Sequence, residues 1–125
     1  MKHGKKISGG RYHKRRKRKK YEMKFQPTIV KLGEPRKRKV RTRGGHFKTI
    51  LLSTNLANVF DKKAKKSFKV KIKNVIETPS NKFLARQNVL IKGALIETEK
   101  GRARITNRPS QESAVQAELL NETSN

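Results

Sequence analysis

Seven consecutive basic residues, Lys14, Arg15, Arg16, Lys17, Arg18, Lys19 and Lys20, are the most chemically committed stretch of this chain. No packed core can hold such a run, because each buried unpaired charge costs several kcal/mol. The protein has only nine acidic residues against 34 Lys and Arg, so no pocket could neutralise the run either. Such a run belongs in water or on a polyanion, and the chemistry it can do is phosphate contact. A second cluster follows at Arg36, Lys37, Arg38, Lys39, Arg41 and Arg43, and it ends at Gly44, Gly45 and His46. Arginine bridges two phosphate oxygens at once, while lysine acts as a point charge.

The glycines near these clusters serve the same chemistry. Ser8, Gly9, Gly10 and Arg11 form a flexible joint whose backbone N–H groups can approach phosphate closely. Tyr12 and Tyr21 flank the first run. Each can stack on an unpaired base or pack on the body of the protein. The run itself reads as an arm that neutralises RNA phosphates and orders on binding. The alternatives are a solvated tail or a nuclear-import signal. Because the basic excess continues past residue 20, the arm is the reading carried forward.

Catalytic constellations do not emerge. His3, His13 and His46 have no histidine at i+3 or i+4, so no metal pair forms. Glu97 and Glu99 share a strand face on a predicted hairpin, where a solvated hairpin end outweighs a paired-carboxylate site. There is no P-loop, dinucleotide fingerprint or nucleophile elbow. The absence of cysteine excludes disulfides, thiolate zinc sites and zinc fingers. The aromatic string of an RRM and the GXXG loop of a KH domain are missing as well. No cofactor, metal or small-molecule substrate is expected. With seven aromatics and no tryptophan, recognition should rest on phosphates and RNA shape, not on a base-stacking platform.

The elements that must position these cations can be read from the rest of the chain. At 125 residues, 32% of them hydrophobic, the chain suits one domain with a small core and tails. Its formal net charge is +25. Residues 1–50 carry +18 of it and residues 51–125 carry +7. The first half therefore does most of the electrostatic work, and folding should begin near residue 25. Residues 1–24 are expected to be a basic arm, disordered when free; 25–120 a β body; and 121–125 a frayed end. No stretch is apolar enough to span a membrane, and no apolar segment follows the basic N-terminus as in a secretory signal. A soluble intracellular protein is expected, with no homo-oligomer.

Within the body, residues 25–32 predict a first strand, held to an edge by Pro27. Residues 36–43 predict an edge strand, with Lys37, Lys39, Arg41 and Arg43 on one face against Val40 and Thr42. Residues 47–60 supply apolar strand material including Phe47 and Phe60, interrupted by turn chemistry at Ser53, Thr54 and Asn55. A charged loop at 61–66 leads to the clearest pattern in the chain. Phe68, Val70 and Ile72 alternate with Lys69, Lys71 and Lys73, giving one apolar and one lysine face. The lysines can touch RNA or simply keep the sheet soluble. The phase shifts at Asn74–Ile76, as at a bulge.

Ser80 or Asn81 can cap a short helix anchored by Phe83 and Leu84. Val89, Leu90 and Ile91, a hairpin turning at Glu99-Lys100-Gly101, and an alternating stretch from Val115 to Leu119 complete the body. The fold class is all-β: a small barrel or sandwich of about six short strands, one helical turn and an extended basic N-terminal arm.

Three stretches resemble the archaeal and eukaryotic small-subunit ribosomal protein family numbered eight in the eukaryotic-type naming. They are Lys5-Lys6-Ile7-Ser8-Gly9-Gly10-Arg11, Arg41-Thr42-Arg43-Gly44-Gly45, and Ile91–Thr98 with Gly101–Pro109. They run through nearly the whole chain in the expected order. The short length is similar to the archaeal members, which lack an insertion found in eukaryotic ones. The resemblance implies a β-barrel-like body, binding to small-subunit ribosomal RNA beside neighbouring ribosomal proteins, a ribosome-bound cytoplasmic location and no enzymatic activity. It also implies that Ser8–Arg11 and Arg43–Gly45 face RNA. One departure stands out. The family commonly has glycines after the late proline, where Ser110 and Ser113 stand here, so that turn is not carried over. Outside the resemblance, a general nucleic-acid or chromatin-binding protein fits the composition, and an RNA-modifying enzyme lacks a site.

Overall fold

The computed structural model describes residues 4–13, 15–22 and 28–120. The predicted positions at Pro27, Met23, His3 and 121–125 lie outside them, as do Lys14 and the side chain of Lys20. The body is mostly β, in two parts. A three-stranded sheet has the order β1 (Lys31–Leu32), β3 (Phe47–Thr54), β2 (Arg36–Arg41). A closed barrel follows, made of β4 (Leu56–Asp61), β5 (Lys66–Glu77), β6 (Leu95–Thr98), β7 (Gly101–Ile105) and β8 (Gln116–Leu119). Barrel neighbours are antiparallel except at the seam, where β8 runs parallel to β4. Closure leaves the barrel strands no free edge.

The predicted stretch at 47–60 divides into two strands. β3 belongs to the sheet and β4 to the barrel, and the chain crosses between them at Asn55. Thr54 turns its hydroxyl onto the Leu56 N–H at 3.2 Å. The Asn55 carbonyl accepts from the Ile72 N–H at 2.8 Å, tying the crossing to β5. The register of β5 against β6 shifts between Ile72 and Asn74, where the sequence pattern changes phase. A bulge there bends the longest strand around the barrel.

Period 2 decides which side chains fill the barrel. Val70 and Ile72 are buried while Lys69, Lys71 and Lys73 face out. On β4 the same rule turns Ala57 and Val59 inward, each 1% exposed, and Phe60 outward at 39%. Phe60 was expected among the apolar strand material and instead lies on the outer wall. Phe47 is likewise exposed, at the very start of β3. Ile96 and Ala103 pair across β6 and β7 and are fully buried, a large residue against a small one inside a narrow barrel. Each buried Val or Ile contributes about 1.5–3 kcal/mol.

Other elements close the ends. The short helix α1 (Lys82–Arg86) is capped by Asn81, whose side chain accepts from the Phe83 N–H at 2.9 Å. Leu84 is half-buried, but Phe83 is 69% exposed and does not anchor the helix as expected. The helix has only five residues, and Phe83 lies on its solvent side. Of the first predicted strand, 25–32, residues 25–27 lie outside the described residues, and of the rest only Lys31 and Leu32 are strand, parallel to β3. Val89 and Leu90 form no strand. They are buried beside Val30, and the Leu90 N–H bonds the Val30 carbonyl at 2.8 Å.

The late loop is held by Asn107. Its Nδ2 donates to Glu112 Oε2 at 2.7 Å and to the Ala114 carbonyl at 2.8 Å, while its Oδ1 accepts from the Gln116 N–H at 3.0 Å. Neither Ser110 nor Ser113 has a positive φ. This turn therefore needs no glycine, which answers the departure seen in the sequence.

Candidate nucleic-acid interface

Lys5, Lys6, Ser8, Gly9, Gly10 and Arg11 build a miniature hairpin. Lys5 bridges Arg11 as an antiparallel pair. The Gly9 N–H bonds the Lys6 carbonyl at 2.9 Å, and the Lys6 N–H bonds the Gly10 carbonyl at 2.7 Å. Gly9 makes this closure possible with φ +76, a conformation that costs most side chains energy. Tyr12 is 56% exposed, with the Lys6 ammonium 5.6 Å from its ring centre. Tyr21 is also exposed, with Lys19 at 5.8 Å. Neither ring is packed into the body.

The basic run bends back on itself. A single 3-10 turn spans Lys20–Glu22, and Glu22 takes the Arg16 guanidinium in a two-pronged ion pair. The Lys19 N–H adds a third bond to that carboxylate at 2.9 Å. The Arg16 contact, and then the Lys19 bond, hold Glu22 below the usual carboxylate range. Arg15, Lys17, Arg18 and Lys19 are left exposed around the loop. Among the described residues, every hydrogen bond of 4–22 stays inside that segment.

The second cluster sits on an edge. Among the described residues β2 pairs only with β3, which leaves its other side open there. Arg36, Lys37, Arg38, Lys39 and Arg41 are all exposed. Lys37, Lys39 and Arg41 share one face, as expected, but Arg43 does not join them. The strand ends at Arg41, and Arg43 enters a 3-10 turn with Gly44 and Gly45. The reason is the glycine pair: Gly44 at φ +77 and Gly45 at φ +81 cannot continue a strand. The Thr42 N–H and hydroxyl both bond the His46 carbonyl, at 2.7 and 3.0 Å, and close the turn. His46 is exposed beside Gly44.

These groups share one electrostatic property. Among the described residues only two ion pairs form, Arg16 with Glu22 and Lys62 with Glu118. The cations of β2, the 43–45 turn and the outer face of β5 have no carboxylate partner there. Such a surface attracts polyanions strongly and is screened by salt. The lysine row of β5, which the period-2 pattern had already set on one face, lies on the outer wall of the barrel. Among the described residues no group of His, Asp and Glu could hold a metal ion. Glu99 lies in the β6–β7 turn and Glu97 within β6, so they do not form a carboxylate pair on one strand.

Comparison with known proteins bears on the same residues. The family model described as Ribosomal protein S8e matches residues 1–120. The small ribosomal subunit protein eS8 of Sulfolobus acidocaldarius is 43% identical over 118 residues, covering 94% of this chain and 92% of the relative. The eS8 protein of Saccharolobus solfataricus is 46% identical over 116 residues, with 92% and 87% covered. That of Nanoarchaeum equitans is 41% identical over 112 residues, with 89% and 88% covered. The match spans the hairpin, the basic run, the edge strand and the barrel together, and the chain belongs to the ribosomal protein S8e family.

Proposed function

We propose that this protein is a structural constituent of the small ribosomal subunit and binds ribosomal RNA through phosphate contacts. The observation that carries this reading is the row of cations on β2 that have no carboxylate partner among the described residues, continued by the glycine turn at 43–45. A surface of this kind recognises the shape of a folded RNA backbone more than its sequence. The family membership and the archaeal relatives named as small-subunit proteins support it.

In this reading residues 1–24 are the RNA-binding arm, 25–120 the positioning body, and 121–125 a tail. Lys5, Lys6, Ser8–Tyr12 and the 14–20 run meet phosphates, as do Arg36–Lys39, Arg41 and Arg43–His46. The arm supplies much of the affinity. The body and the glycine turns fix where the arm starts and so supply the address. The protein acts in the cytoplasm, ribosome-bound, beside other ribosomal proteins, and no catalytic step is assigned to it.

The test is binding of small-subunit RNA over a range of salt, with the full chain and with residues 1–20 deleted. Each lost phosphate contact removes roughly 0.7–0.9 from the slope of log affinity against log salt. A flatter slope and weaker binding are expected after deletion. Unchanged slope and affinity would remove the arm from the interface. Equal affinity for duplex DNA at ~150 mM salt would point to a general nucleic-acid binder instead.

A further inference from the structure

Two cavities on the outer wall of the barrel run together. One of about 520 Å³ opens over β4, β5 and β8. The other, about 350 Å³, lies where the three-stranded sheet meets the barrel. Asn58 and Lys69 line both, so the two form one groove.

The strand register sets its chemistry. Asn58 stands opposite Lys69 on β5 and opposite Gln116 on β8. One row across three strands therefore presents an ammonium and two amides. Two residues further along β4, about 7 Å away, Phe60 stands between Ser67 and Glu118. Ala57 and Val59 fill the barrel, so Asn58 and Phe60 must face out. Lys37 lines the far end of the groove. Its one carboxylate, Glu118, is engaged by Lys62 at 2.9 Å. Phe68 lines the groove too, with the Lys100 ammonium over its ring, which leaves a cationic groove with one uncovered aromatic ring, Phe60, and two groups that both donate and accept.

We propose that this groove holds one unpaired nucleotide of an RNA strand. Its base stacks on Phe60 and is hydrogen-bonded by Asn58 and Gln116, and the flanking phosphates are neutralised by Lys69 and Lys37. Amides match base edges, because each carries two donors and an acceptor. A duplex cannot use this site, since its base faces are already stacked. An acidic protein segment would satisfy the lysines and leave the ring and the two amides unmatched. The assignment rests on the RNA-binding reading above and adds base contact to a surface otherwise built for phosphate.

The experiment measures Kd of the full chain for a single-stranded RNA ten-mer and for an RNA duplex of equal length, at one salt concentration. The variants are Phe60→Leu, the double change Asn58→Ala with Gln116→Ala, and Lys63→Ala on the β4–β5 loop outside the groove. Circular dichroism checks each fold. Stacking on one base is worth about 1–3 kcal/mol, or roughly 5- to 150-fold. Phe60→Leu should weaken single-strand binding by at least about fivefold and leave duplex binding within about twofold. The amide variant should follow it, and Lys63→Ala should lower both alike. Phe60→Leu binding the single strand as the parent does would overturn the proposal, as would equal losses on both RNAs. Poly-glutamate binding that falls with Phe60→Leu as RNA binding does would also overturn it, by assigning the groove to an acidic segment. Full affinity for folded small-subunit RNA beside an indifferent Phe60→Leu would reject the groove alone and leave the broader reading standing.

Discussion

Arg16 and Glu22 join across the basic run through two bonds, from Nη1 to Oε2 at 2.9 Å and from Nη2 to Oε1 at 2.6 Å. This acid converts a self-repelling stretch into a loop with its other cations outside. The depressed Glu22 titration follows first from Arg16. A carboxylate held below its ordinary value contributes stability above that value and loses it as pH falls through the lowered one. In an NMR titration, Glu22 should protonate at lower pH than a free glutamate, and Arg16→Ala should bring its midpoint back up. Equal midpoints in parent and variant would mean that the pair does not persist in solution.

Ile96 is fully buried in β6, opposite Val75 and Ala103. Ile96→Ala should cost about 2–5 kcal/mol, because the rigid barrel cannot collapse around the hole. Urea denaturation monitored by circular dichroism should show a clearly lower midpoint. An unchanged midpoint would place Ile96 outside the cooperative core.

Asn107 makes three hydrogen bonds that hold the loop before β8. Asn107→Ala strips partners from the Ala114 carbonyl and the Gln116 N–H and should cost about 1–3 kcal/mol. Asn107→Asp keeps the acceptor but sets a second carboxylate against Glu112 and the Ala114 carbonyl, so at neutral pH its denaturation midpoint should fall no higher than that of the alanine variant. An aspartate variant as stable as the parent at neutral pH would show that the contact with Glu112 does not persist in solution.

Gly44 has φ +77, and a Cβ there would sit 3.3 Å from His46 Cδ2. Gly44→Ala should therefore lower stability by about 1 kcal/mol or more. Gly44→Asn should be milder, because asparagine tolerates the left-handed region better. Thermal denaturation orders the three proteins, and alanine matching glycine would show that the turn adapts freely.

Part of this molecule was legible one residue at a time. The Phe68–Lys73 alternation announced a strand with an apolar and a lysine face, because period 2 is a local property of extended backbone. Ser80 and Asn81 announced a capped helix, with Asn81 the cap in the fold, and Glu99–Gly101 announced its hairpin turn for the same reason: caps and turns are satisfied by near neighbours. The basic run announced a polyanion, since charge at that density has no internal solution.

The tertiary structure decided what local rules leave open. The turn chemistry at Ser53–Asn55 was legible, but not that the strands on its two sides belong to different sheets, nor that β8 closes the barrel by pairing in parallel with β4, 58 to 116. No local pattern encodes a partner that far along the chain. Phe60 looked like core material by type, and only the register that turns Ala57 and Val59 inward placed it on the outer wall. Arg43 looked like the end of a cationic strand until the glycine pair took it into a turn. The sequence by itself settled that this chain is a polycation with a small β core. Long-range pairing settled which cations, amides and rings stand side by side, because neighbours across strands are chosen by burial of the whole sheet and not by any one segment.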